Sequence, residues 1–394
     1  MLSVEEAVSA LVSAARPVDQ YEQVSIAEGL GRVLARDVTA GIDVPPADNS
    51  AMDGYAFCHA DWNAAETPLE VSQRIPAGIR PEALQPGTAA RIFTGAEIPE
   101  GADTVVMQEH CSAQDGVVHI ERCPSLGANV RPRAQDIQAG DTVLRAGKRL
   151  SPQALGLLAS LGHAHCLVFR KLRVGVVSNG SELVEPGEAV KPGQIYNSNR
   201  YLLAGLVNGW GFDLVDYGIA TDCPDEIRNL LQRAAQEVDV IVSSGGVSVG
   251  EEDHIKQVVS DLGMIDLWKV SIKPGKPFAF GKVADTPFLG LPGNPASVLV
   301  TALVIARPYL LSLQGQKHVH VQPARHVAQF SLEGGPRAVY LRAKTTPDGV
   351  ECHPRQSSGM LTSAVWGDGL VVQAPEQNIQ KGDLADFLPY SSLT

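Results

Sequence analysis

Between residues 238 and 297, almost every short apolar run ends in a loop carrying glycine, lysine or carboxylate, and this pattern leaves few possible architectures. Residues 238–243 (VDVIVS) lead into 244–250 (SGGVSVG) and the acidic run 251–253 (EED). Residues 265–272 (IDLWKVSI) lead into 273–277 (KPGKP), and 287–291 (PFLGL) into 292–297 (PGNPAS). In a doubly wound α/β sheet, ligands sit beyond the carboxyl ends of the strands. Such an edge would here carry Gly245, Gly246 and Gly250 for close backbone approach and Lys273 and Lys276 for an anion. It would also carry Asp253 for a metal or a proton. A phosphorylated or oxyanion substrate fits that set, and a packed core does not.

Composition narrows the rest. A chain of 394 residues exceeds what one core usually supports, so roughly two to four domains are expected. Aromatics make up 5% of residues, too few for a platform that stacks single-stranded nucleic acid. A net charge of −12 disfavours nonspecific nucleic-acid binding, so an anionic ligand needs a local basic pocket such as Lys269, Lys273 and Lys276. Six scattered cysteines form no CxxC pair, which argues against a zinc site or a disulfide framework. The opening MLSVEEAVSALVSAA lacks the basic start and long apolar core of a signal peptide. The apolar stretch 298–306 is too short to cross a bilayer. A reduced, cytoplasmic setting is the expectation, with neither membrane nor nucleic acid as partner.

Along the chain, Ser3 and Glu6 form a capping box for a helix with Val4, Ala7, Val8, Leu11 and Val12 on one face. Residues 45–134 read as a β-rich module of short alternating runs between Gly/Pro clusters. Ser151-Pro152 starts a second helix, which is expected to return and pack on the first, leaving the β module as an insertion. Strand and helix then alternate as in βαβ units with a parallel-rich sheet. The expected fold is therefore multidomain α/β plus β. A discontinuous helical linking domain takes 1–44 and 135–167, a β-rich insertion 45–134, an α/β domain 168–316 and a small β domain 317–394.

Two readings stay open for most of the polar residues. Glu182, Asp222 and Asp253 each follow a strand and precede a helix, where carboxylates either cap helices or, clustered, hold Mg²⁺ together with substrate phosphates. Lys273 and Lys276 flank a stiff Pro-Gly turn and are either solvated or converge on an anion. Pro292 and Pro295 shape their loop. The ten histidines are spread, so His-based acid–base catalysis has no support.

Six segments then point to a family. DNSAMDGYA (48–56), RIFTGAEIPEGADTVVMQE (91–109), GANVRPRAQDI (127–137), GGVSVGEED (245–253), WKVSIKPGKPFAFG (268–281) and LPGNPASV (291–298) resemble molybdopterin molybdenumtransferase, the bacterial relative of the gephyrin E domain. The likeness runs in order over essentially the whole chain. It implies a central α/β domain of the molybdopterin-binding type in an elongated homodimer of four-domain subunits. The activity it implies is insertion of molybdate into the dithiolene of adenylylated molybdopterin, with release of AMP and with Mg²⁺ as helper. Molybdopterin adenylyltransferase and molybdoenzyme apoproteins or their chaperones would be partners.

Matched motif by motif, the resemblance assigns catalytic roles to Asp53, Thr94, Glu182, Asp222, Asp253, Lys269 and Lys273, with Glu182, Asp222 and Asp253 on the metal. It places Gly245, Gly246, Ser248, Gly250, Lys276, Pro292, Pro295, Ser297, Arg337, Arg342 and Ser358 at the pterin and its oxyanion. Two positions depart from the family: Ser181 and Cys223 stand where many members have a carboxylate, which lowers the negative charge near the metal. A scaffold or partner-clustering protein that keeps the fold is the alternative, although such a protein has no need of the lysines and carboxylates.

Overall fold

The capping box of the first helix, α1 (Val4–Ala14), forms as its sequence dictates. The Glu6 N–H donates to Ser3 Oγ at 3.0 Å and the Ser3 N–H to Glu6 Oε2 at 2.7 Å. The structure, a computed structural model, describes residues 1–62, 68–220, 222–246 and 254–394, with Leu267 described for its backbone alone. Of the residues singled out above, Ser248, Gly250 and Asp253 lie outside those described.

The apolar face of α1 does not meet the second helix, α2 (Pro152–Ser160). Val4, Ala7, Val8 and Leu11 enter the core of the α/β domain, whereas Ala154 and Leu158 of α2 pack with Leu34, Leu150, Cys166 and Val168. Backbone stitching decides this. Leu2 N–H donates to Lys269 O at 3.0 Å, and Ser271 N–H donates to Leu2 O at 2.8 Å. An amphipathic pattern says that a face is buried, not against what. The strand His165–Phe169 pairs antiparallel with Tyr21–Ser25, so the linking part is closed by a small ribbon before the α/β unit starts.

The β-rich module is a six-stranded sheet in the order Thr104–Met107, Gly54–Phe57, Thr88–Ile92, Leu69–Ile75, Val117–Ile120, Cys111–Gln114. Its chain enters and leaves side by side, with Asn49–Ser50 paired antiparallel to Val130–Arg131 and Val44 bridged to Ile137. That is the connectivity of an insertion.

The central sheet runs Asp213–Ala220, Arg173–Asn179, Val240–Ser244, Thr286–Leu291, Pro277–Val283, Gly263–Lys269. The first four strands are parallel; Pro277–Val283 is antiparallel to its two neighbours. Gly263–Lys269 therefore points the same way as the parallel four. Asn179, Ala220, Ser244, Lys269 and Leu291 all end at one edge. Val240–Ser244 is buried along its whole length, as expected of a strand covered on both faces. Helices α3 (Ser198–Gly209), α4 (Pro224–Glu237) and α5 (His254–Leu262) cover the sheet. The helical run Pro295–Leu313 is longer than the apolar stretch legible in the sequence. Its 19 residues, of mean hydropathy 1.8, would suffice to cross a membrane, but 89% of the run is buried inside the protein as a core helix.

Arg170 and Asp239 join the linking part to this sheet. The guanidinium of Arg170 donates from Nη1 and Nη2 to the two Asp239 oxygens at 2.6 and 2.7 Å, and the Arg173 N–H adds a bond of 2.7 Å. Burial alone would raise the Asp239 carboxyl; the bonds from Arg170 and Arg173 outweigh it and leave the group below the usual range. A depressed carboxylate contributes stability above its unfolded value, near 3.9, and loses it as pH falls through the folded value. Asp239→Asn is therefore expected to destabilise the protein by about 2–3 kcal/mol at neutral pH. The cost should shrink as pH falls below about 4. Denaturant unfolding of both proteins at neutral and acid pH measures it, and a cost independent of pH would contradict the pairing.

The C-terminal sheet orders Ile272–Lys273, Ala338–Thr346, Gly369–Gln373, Leu384–Pro389, Ala324–Val327, with Gly349–Cys352 on Ala338–Thr346. Ile272–Lys273 belongs by sequence to the α/β domain, yet pairs in parallel with Ala338 and Val339. The two domains share this strand.

Candidate active site

Where the shared strand meets the carboxyl edge of the central sheet, a cavity of about 990 Å³ opens. One wall is the segment Gly180, Ser181 and Glu182 after the strand Arg173–Asn179, faced by Asp222. The Ser181 N–H donates to Asp222 Oδ2 at 2.9 Å, which binds the two carboxylate-bearing loops together. Gly245 and Gly246 form part of the floor. Both hold positive φ, and a Cβ on Gly245 would lie 2.8 Å from Asn179 O, so no larger residue fits there without displacing backbone.

The opposite wall comes from the turn of Lys273, Pro274, Gly275 and Lys276. Gly275 has φ +114°, and a Cβ there would stand 2.5 Å from Thr301 Cγ2, so the turn is pressed against the core helix. Lys273 and Lys276 are exposed, line the cavity and pair with no carboxylate among the described residues. Arg337 joins them from the C-terminal domain. Three cations thus face one space in a protein of net charge −12.

Pro292, Pro295 and Ser297 contribute the third side at the start of the core helix. The Ala296 N–H donates to Ser358 O at 2.8 Å and clamps this loop to the C-terminal wall of Gln356, Ser357 and Ser358. The cavity is built by two domains.

Four residues unmarked by sequence reasoning lie in the floor: Asn179, Asn197, Asn199 and Ser244. Each is at most 9% exposed and carries a side-chain atom without a hydrogen bond among the described residues. Asn199 Nδ2 donates to Gly293 O at 2.7 Å, leaving its oxygen free. Buried polar groups are normally satisfied, so these four leave hydrogen-bonding capacity at the cavity floor for water or a polar ligand. Asn197 and Asn199 passed unnoticed because Asn at a helix start reads as a cap, and Asn197 does accept the Arg200 N–H at 3.3 Å.

The cavity brings together Glu182, Asp222, Gly245, Gly246, Lys273, Lys276, Pro292, Pro295, Ser297, Arg337 and Ser358. Other expected site residues are elsewhere. Lys269 ends the edge strand but does not line the space; its carbonyl anchors Leu2. Arg342, expected at the pterin, is 1% exposed behind the wall, on the strand face of Ala338 and Tyr340 that packs toward the α/β domain, opposite Leu341 and Ala343 of the domain's own core. Asp53 and Thr94 sit in the β-rich module and bond each other. The Thr94 N–H reaches Asp53 Oδ1 at 2.7 Å and its hydroxyl at 2.9 Å. These two bonds, the backbone one foremost, hold the Asp53 carboxyl below the usual range. Asp53 is therefore an anion at neutral pH. For the metal, Glu182 and Asp222 are the described carboxylates at the cavity; no group of three or more His, Cys, Asp or Glu forms a cluster among the described residues.

Comparison with known proteins agrees with this architecture. Residues 2–162 match the MoeA N-terminal region (domain I and II), 175–312 the probable molybdopterin binding domain, and 326–390 the MoeA C-terminal region (domain IV). The chain is 41% identical over 403 residues to the molybdopterin molybdenumtransferase of Haemophilus influenzae, covering 100% of both. The chain belongs to the molybdopterin molybdenumtransferase family. A second relative of that name, from a Nostoc species, is 40% identical over 80% of this chain and 75% of its own. The crystal structure of the molybdopterin biosynthesis moeA protein from Pyrococcus horikoshii superposes with a TM-score of 0.87 at 27% identity, over 99% of this chain and 100% of that one.

Proposed function

We infer that the protein acts as a transferase in molybdenum cofactor biosynthesis, inserting molybdate into the dithiolene of adenylylated molybdopterin with release of AMP. The observation that carries this reading is the cavity itself, with Lys273, Lys276 and Arg337 facing the amide-rich floor and the Glu182–Asp222 wall. Molybdate is a dianion that must approach a substrate already bearing phosphates and thiolates. The three cations offset that repulsion, and charge-assisted bonds from them hold the oxyanion in place. Asn179, Asn197, Asn199 and Ser244 suit the donors and acceptors of a pterin ring. When two thiolate sulfurs bind molybdenum, one oxo group leaves as water and takes up two protons.

Glu182 and Asp222 fit a Mg²⁺ ion, which commonly takes one or two carboxylates and completes its shell with water and phosphate oxygens. When bound there, the ion neutralises charge on the pyrophosphate. Asp222 holds the Ser181 loop through one oxygen, and its other oxygen would be the one to take the metal. Asp222→Asn is expected to raise the Mg²⁺ concentration needed for half-maximal AMP release about tenfold or more, with the melting temperature unchanged. Unaltered Mg²⁺ dependence would reduce Asp222 to a loop cap.

The protein is further proposed to work in the cytoplasm as a homodimer. It would take its substrate from a molybdopterin adenylyltransferase and hand product to molybdoenzyme apoproteins or their chaperones. Mass spectrometry of the pterin formed from molybdate and adenylylated molybdopterin tests the activity. Release of AMP without molybdenum in the product would refute insertion, and absence of both would favour a scaffold role.

A further inference from the structure

Away from the cavity, one edge of the β-rich module collects two arginines that form no ion pair among the described residues. Leu69–Ile75 and Thr88–Ile92 run parallel and end side by side, next to the start of Gly54–Phe57. Arg74 and Arg91 are paired across the parallel strands, and both guanidinium groups stand over the Phe93 ring, 4.6 Å from its centre. Arg91 lies over Tyr55 as well, at 5.2 Å. The Asp53–Thr94 pair sits at the same edge, since Thr94 follows Phe93 directly.

Like charges side by side on neighbouring strands repel, so this arrangement costs stability on its own. Arg91 donates from Nη1 to Gly54 O at 2.8 Å and from Nη2 to Gln108 Oε1 at 2.6 Å, both neutral acceptors. Arg74 is exposed and makes no hydrogen bond among the described residues. Asp53, which feels the Arg91 charge, takes both Thr94 bonds on one oxygen and leaves the other without a described partner. A guanidinium matches a phosphate with its N–H edge and a planar ring with its face. Two of them over an aromatic ring, beside a carboxylate oxygen, suit a ligand that joins a phosphate, a flat base and hydroxyl donors. A nucleoside 5′-monophosphate has those three parts.

We propose that this edge binds the adenylate half of the substrate: Arg74 and Arg91 take its phosphate, the base lies against the Arg74–Phe93 stack, and the open Asp53 oxygen accepts a ribose hydroxyl. The proposal rests on adenylylated molybdopterin being the substrate. None of these residues lines the cavity of its own chain, so the edge serves a substrate held in the cavity of the homodimer's other subunit. The pterin and the oxyanion then stay with the cavity, and the group that leaves as AMP is read by the insertion.

Calorimetric titration of the full-length protein with AMP, ribose 5-phosphate and adenosine, at fixed ionic strength, resolves the three parts. The wild type is expected to bind AMP more tightly than either fragment. Arg74→Gln should weaken AMP and ribose 5-phosphate alike by about tenfold, since a charge-assisted bond is lost. Phe93→Leu should weaken AMP by about threefold and leave ribose 5-phosphate unmoved, because only the stack is lost. Arg122→Gln should match the wild type. Arg122 is also exposed, but it follows Val117–Ile120, which runs antiparallel to Leu69–Ile75 and so ends at the opposite edge. In turnover, Arg74→Gln should raise the concentration of adenylylated molybdopterin for half-maximal AMP release, with that of molybdate unmoved.

Unchanged AMP affinity in folded Arg74→Gln overturns the proposal, as does an equal loss in Arg122→Gln, which would be net charge alone. A wild type that binds AMP no better than ribose 5-phosphate overturns it too, since the edge would then take any phosphate. AMP binding that responds to Arg74, while half-saturation by adenylylated molybdopterin does not move, makes the edge a separate nucleotide site and rejects its part in the reaction. Molybdenum-free product in the mass-spectrometric assay, with AMP still bound through Arg74, would sink molybdate insertion while upholding the adenylate site.

Discussion

At a molybdate concentration too low to support Lys273→Ala, dimers that pair a subunit bearing Asp53→Ala with one bearing Lys273→Ala are expected to recover activity, although each variant alone stays near zero. The Asp53–Thr94 pair is exposed on the β-rich module and absent from the lining of the cavity. Its carboxyl accepts both bonds from Thr94 through one oxygen, which leaves the other without a described partner in the module. If Asp53 of one subunit serves the cavity of its mate, a mixed dimer holds one intact site and one doubly broken site. Equal amounts re-paired at random make about half the dimers mixed, so activity should return to roughly a quarter of wild type. No recovery in verified mixed dimers would place the working site within a single chain.

Lys273→Ala and Lys276→Ala should each raise the molybdate concentration for half-maximal activity far more than that of the pterin. Each lysine stands exposed at the cavity with no carboxylate partner among the described residues. A charge-assisted hydrogen bond contributes roughly 1.5–3 kcal/mol, which corresponds to a loss of about ten- to a hundredfold in apparent affinity. The effect should diminish in high salt, where exposed charges are screened. Titrating molybdate with saturating pterin tests this directly. Half-saturation that does not move in either variant would leave the lysines merely solvated.

How far the sequence exposed this site depended on the range of the interactions. The carboxyl-edge loops were legible because each follows an apolar run, and strand direction then puts Glu182, Asp222, Gly245, Lys273 and Pro292 together. The helical face of Val4, Ala7, Val8 and Leu11 was equally plain, but its packing partner was set by two backbone bonds to residues 269 and 271. Arg342 matched a functional motif, yet a buried cation and a ligand-binding one have the same letter. The two-residue strand Ile272–Lys273 leaves no periodic trace at all. Asn197 and Asn199 carry a capping signal that conceals their place in the floor.

The shared strand also limits how a ligand of this size can come and go. Lys273 is tied by ladder bonds to Val339, Ser271 O accepts the Ala338 N–H at 3.0 Å, and Ser358 O accepts the Ala296 N–H. Rotating the C-terminal domain away would either break these bonds or drag Lys273 out of place. That side of the cavity is a fixed jamb. The other side is the segment from Gly180 to Tyr196, which pairs Leu183–Val184 with Ile195–Tyr196, ends in exposed Ile195 and Tyr196, and is tied to its neighbours by side chains, through Asp222 and the Arg200–Glu185 ion pair. If that segment gives way, a bulky ligand would leave past exposed Ile195 and Tyr196 and not through the C-terminal wall.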